Sequence, residues 1–120
     1  MNLPPGRVAA FFIVIAISLA QPIARVPKGF LTVQKYLELG TVAQGTFAMG
    51  FVDGMLMAPM FDASDQNGQY LLLSSCVVPM TPRQIAAIIE KYGKEHPERW
   101  DEPVHGLAYG ALIRACSAKH

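Results

Sequence analysis

Charge is scarce in this chain and nearly cancels: ten lysines and arginines stand against nine aspartates and glutamates in 120 residues. A chain so close to neutral has no basic excess with which to hold nucleic acid, which removes that class of partner. Cysteine is almost missing as well, with only Cys76 and Cys116 present, and their spacing is neither of the redox type nor of the zinc type. The three histidines, His96, His105 and His120, stand at no metal-ligand spacing with one another or with the cysteines. No metal and no other cofactor is therefore expected. The serines lack the strand-to-helix context of an activated nucleophile. Glu98, Asp101 and Glu102 cluster where a helix start would favour acidic residues anyway. With no convergent polar set in view, the expectation is a protein without catalysis of its own.

Long apolar runs are also few. The longest, Val8 to Ala20, is shorter than the ~20 residues a helix needs to cross a bilayer. It follows a short head carrying Arg7 and ends on Ser18-Leu19-Ala20, small residues where a signal peptidase cuts, so residues 1–20 are read as a cleavable secretory signal. An oxidising compartment, the periplasm, follows from that reading, and there two cysteines can persist as a bridge. If the last two helices run antiparallel, as their short connection implies, the start of one lies beside the end of the other. Cys76 and Cys116 stand at those two places.

What the chain does have is a dense apolar stretch, Thr41 to Met57, on which the remaining 21–120 domain is expected to be organised. Thr41 followed by Gln44 suggests a capped start. Beyond it, apolar residues occur on every side of a helix, so the stretch is expected to be a central helix buried by its neighbours. Gly50 and Gly54 would then permit close approach of other backbones, and leucine at either position would cost several kcal/mol by overpacking. Asp53, the one acid in this stretch, would need a structural partner such as Arg83, Arg114 or a capping N–H.

Around this helix the signals are local. Thr32 can cap a short helix over 33–39, with Val33, Tyr36 and Leu37 on one side. Thr81-Pro82-Arg83-Gln84 combines a cap, a proline at the first helical position and a reciprocal glutamine. The residues Ile85, Ile88, Ile89 and Tyr92 then mark one face of an amphipathic helix. Pro103 fits near a helix start, and Val104, Leu107, Ala108, Ala111, Leu112 and Ala115 trace its apolar stripe. Between 59 and 75 the character is that of a loop, and Leu71 to Leu73 is too short to class as helix or strand. The fold expected is all-α: a small four-helix bundle-like domain around the central helix, stapled by one disulfide.

Gly50-Phe-Val-Asp-Gly54, Cys76-Val-Val-Pro79, Thr81-x-x-Gln84, Tyr92-x-x-x-His96-Pro97-Glu98 and an alanine-rich helix ending at Cys116 occur in that order. Over roughly residues 41–116 the chain resembles the Tai/Rap family of type VI secretion amidase immunity proteins. The resemblance implies a small helical periplasmic protein, often a homodimer, that binds and blocks a peptidoglycan amidase toxin. A stand-alone periplasmic helper, such as an acid-stress chaperone or envelope accessory protein, is the other reading.

An inhibitor of a cleft enzyme needs a projecting element with an aromatic anchor or two. Phe61 and Tyr70 bracket an acidic, turn-forming segment containing Asp62 and Asp65, and these four are the candidate partner-binding residues. No membrane contact is expected once the signal is removed.

Overall fold

The computed structural model describes residues 26–61 and 68–118. The expected signal, Asp62, Asp65 and His120 lie outside them. The described chain opens with Val26 to Gly29, which are exposed and without regular secondary structure, as Pro27 and Gly29 suggest. It is then laced to the segment before the last helix: the Val33 N–H donates to the Glu102 carbonyl and that of Gln34 to the Trp100 carbonyl, both at 3.0 Å. Helix α1 (Val33–Leu37) is capped by Thr32, whose hydroxyl accepts from the Lys35 N–H at 3.3 Å. Its Val33 and Tyr36 are completely buried.

Helix α2 (Thr41–Leu56) has Gly40 as its N-cap, with no side chain capping it. The expected Thr41 and Gln44 box does not form. Gln44 is instead the one buried polar residue among those described, its amide donating to the Tyr36 carbonyl at 3.1 Å and tying α2 to α1. A one-turn helix α3 (Ala58–Phe61) follows, then α4 (Gln69–Val77), entered through Gly68 at a φ of 79° that a side chain would strain. The segment read as loop up to Ser75 is therefore helical from Gln69 onward. Leu73 and Val77 supply its buried side, which three consecutive leucines do not reveal as a period.

Helix α5 (Pro82–Glu95) begins with both halves of the capping box: Gln84 N–H to Thr81 Oγ1 at 3.2 Å, and Thr81 N–H to Gln84 Oε1 at 2.8 Å. It lies against α1, α2 and α6, which makes it the hub of the domain. A 3₁₀ turn (Pro97–Arg99) leads to α6 (Val104–Ser117), which buries Val104, Leu107, Ala108, Ala111, Leu112 and Cys116. Ala115, expected in this stripe, is only half-buried. Complete burial of a leucine such as Leu107 or Leu112 contributes about 1.5–3 kcal/mol.

Cys76 and Cys116 form a disulfide with Cα atoms 5.9 Å apart. The fold is thus the expected all-α, bundle-like domain with one staple. Within it, the role given to α2 needs correction. Only Gln44, Ala48 and Val52 of that helix are buried, and no atom lies within 4 Å of where a side chain at Gly50 or Gly54 would begin. Close approach occurs at Gly93 of α5, where an added Cβ would sit 3.3 Å from Val33 and 3.4 Å from Leu37. Mean apolarity cannot tell a helix wrapped by neighbours from one covered on a single side.

Candidate functional site

The uncovered side of α2 borders an open groove. Phe47 and Phe51 are half-buried, and their rings run in series with Tyr36: Tyr36 to Phe47 edge-on at 5.2 Å, Phe47 to Phe51 stacked at 6.0 Å. They form the wall next to the core. Opposite stand His105, Gly106 and Tyr109 at the start of α6, and between the helices lies a space of about 530 Å³ that Gly50, Gly54 and Met55 also line. A second hollow of about 370 Å³ continues it past Phe47 to Phe30 and Leu31. The opening segment runs along the α6 side, with Val26 against Gly106 and Gly29 against the His105 ring, so close that a side chain at Gly29 would meet the imidazole at 2.7 Å. His105 and Tyr109 are the polar side chains of the larger space.

Asp53 is exposed on the next face of α2. Among the described residues no ion pair includes it, which corrects the expectation of a structural partner: a carboxylate in water needs none. Arg114 instead places its guanidinium 5.8 Å from the centre of the Tyr92 ring. His96 ends α5 with Nδ1 at 2.7 Å from the Tyr92 carbonyl, and its ring lies 4.1 Å from that of Tyr92. Glu102 pairs with Arg99 at 2.8 Å. These groups are each occupied locally. Among the described residues no three of His, Cys, Asp or Glu gather as a metal set.

Of the four candidate contact residues, Phe61 closes α3 and Tyr70 lies in the first turn of α4. Tyr70 is not a free anchor. Its hydroxyl donates to the Leu56 carbonyl at 3.1 Å, fastening α4 to the end of α2. Helices α3 and α4 thus flank residues 62–67 in the chain. Sequence reasoning passed over the groove because it took the apolar circumference of α2 as buried. The signal that could have found it is the pairing of two glycines spaced four apart on α2, at 50 and 54, with another such pair on α6, at 106 and 110.

The most perturbed acid is in the core. Burial, assisted by the nearby charge of Glu90, pushes the Tyr36 phenol well above its ordinary value of 10, and its hydroxyl donates to the Ala86 carbonyl at 3.2 Å. It holds α1 on α5. Comparison with protein-family models, with curated proteins and with solved structures returns no match.

Proposed function

We propose that this chain is a periplasmic immunity-type protein that binds and inhibits a type VI secreted peptidoglycan amidase. The observation that carries the reading is the open groove between α2 and α6, apolar except for His105 and Tyr109. Such a surface suits a ridge of another protein better than it suits chemistry, since binding energy concentrates in a few apolar and aromatic contacts. The order of short motifs from Gly50 to Cys116, and a disulfide of the kind that oxidising compartments allow, support the same reading. On it, Phe61, Asp62 and Asp65 enter the partner's cleft, the two carboxylates being drawn to a protonated histidine there, while Tyr70 fastens the start of α4 to the end of α2.

The test is to mix the purified protein with purified type VI peptidoglycan amidases and measure both affinity and cell-wall cleavage. Alanine at Phe61, Asp62, Asp65 and Tyr70 together, and separately Gly54→Trp to fill the groove, should each weaken binding while leaving the helical spectrum intact. Tyr70→Phe controls for the hydroxyl that fastens α4. A fourfold variant and a Gly54→Trp variant that both retain full affinity would move the interface to the outer faces of α5 and α6. No binding to any such amidase would defeat the reading.

The exposed apolar side chains of α2 and α3, Val42 at 84% and Met60 at 78%, favour one competitor, the acid-stress chaperone. A chaperone of that kind gains dye-binding surface as carboxylates lose charge between about pH 7 and about pH 3, whereas a rigid inhibitor does not.

A further inference from the structure

Methionine is unevenly placed in this chain. Four of its six methionines, Met49, Met55, Met57 and Met60, fall within residues 49–60. Met55 turns into the groove. The others are exposed, Met57 at 46% and Met60 at 78%. Steps of four along α2 carry one face from Met49 through Asp53 to Met57. Met57 is the C-cap of α2, and the Met60 N–H donates to its carbonyl at 2.9 Å, a tight turn that brings residue 60 round to the side of residue 57.

We propose that Met57 and Met60, with Asp53 one helical turn before them, form a binding site for a soft monovalent cation, copper(I) or its analogue silver(I). A face made only for docking a protein needs apolar bulk, which leucine supplies as well. Thioether sulfur adds a soft, polarisable donor, and soft donors select this class of cation. Both cysteines are held in the disulfide, so the chain offers no thiolate. Thioethers keep their donor character in an oxidising compartment and at acidic pH, where thiols pair and imidazoles protonate. Asp53, exposed and outside every ion pair among the described residues, supplies the negative charge that balances a monovalent ion. Harder or borderline cations have no comparable set, as no three carboxylates, imidazoles or thiols gather among the described residues. This site is separate from the partner-binding reading and does not depend on it.

The experiment labels the methionine methyl groups with carbon-13 and titrates the folded, disulfide-bonded protein with silver nitrate in chloride-free buffer. Copper(I) affinity is measured in parallel by competition with bicinchoninate. One equivalent should shift the methyls of Met57 and Met60 and leave Met80 unmoved. The double variant Met57→Leu/Met60→Leu should lose binding with its thermal midpoint unchanged, and Asp53→Asn should weaken binding by roughly tenfold. Met80→Leu should bind as the parent does. Shifts spread evenly over all methionines, binding retained by the double variant, or no binding at all would each overturn the proposal. Because leucine preserves the apolar face, affinity for an amidase should not change in the double variant, so the two readings fail separately.

Discussion

At the scale of single residues, the glycines separate what composition suggests from what packing requires. Gly50 and Gly54 meet nothing, so alanine at either position removes backbone entropy from the unfolded chain without a clash and should stabilise by up to about 1 kcal/mol. Gly93 is buried against Val33 and Leu37, and leucine there should cost roughly 1–3 kcal/mol through overpacking. Urea midpoints of the three variants check this, and the same sign at all three positions would contradict the contacts described. Tyr36 gives a pH signature. Its folded pKa lies above the unfolded value of 10, so the folded state holds the proton more tightly, and its contribution is complete below that pH. Stability should therefore fall as the pH rises above 10, and Tyr36→Phe should make that alkaline decline shallower. The same substitution should cost about 0.5–1.5 kcal/mol at neutral pH, the net value of the hydrogen bond to Ala86. An identical alkaline slope in parent and variant would remove Tyr36 from this role.

At the scale of elements, legibility followed how local the determining physics is. The start of α5 could be read in full because Thr81, Pro82 and Gln84 act within one turn of backbone, and the structure contains both capping bonds. Thr81→Ala should lower stability by about 1 kcal/mol, measured by thermal melting, while Thr41→Ala should do nearly nothing because Gly40 occupies the cap position of α2. Equal effects would mean that Thr41 caps after all. The stripe of α6 was readable for the same reason of periodicity, Val104 to Leu112 being buried as expected. The covered side of α2 was not readable. Its apolar residues surround the axis, and which of them meet α5 is decided by segments remote in sequence. Gln44 shows the same limit: its amide reaches the Tyr36 carbonyl only because α1 folds back beside α2. The groove is what remains where α2 and α6 flank the core without covering each other.

At the scale of the whole molecule, the disulfide closes a loop of 40 residues that contains all of α5 and most of α6. By loop-closure entropy such a bridge contributes roughly 4 kcal/mol, against a total of about 5–15 kcal/mol for a domain of this kind. Its effect should not be spread evenly. Helix α4 packs chiefly on α6 and is fixed at its other end by the Tyr70 hydroxyl bond to Leu56, whereas α5 is gripped by α1, α2 and α6. Alanine at both Cys76 and Cys116 is the suitable substitution, since Cys116 is fully buried and a serine hydroxyl would add a polar group to the core. The double variant should lose several kcal/mol in urea denaturation, and hydrogen exchange should quicken first in α4, with the amides of α5 protected until global unfolding. A loss below about 1 kcal/mol would show the staple to be redundant. Uniform acceleration across α4 and α5 would show that α4 belongs to the same cooperative unit as the hub, and that the packing of Leu73 and Val77, rather than the bridge, is what holds it there.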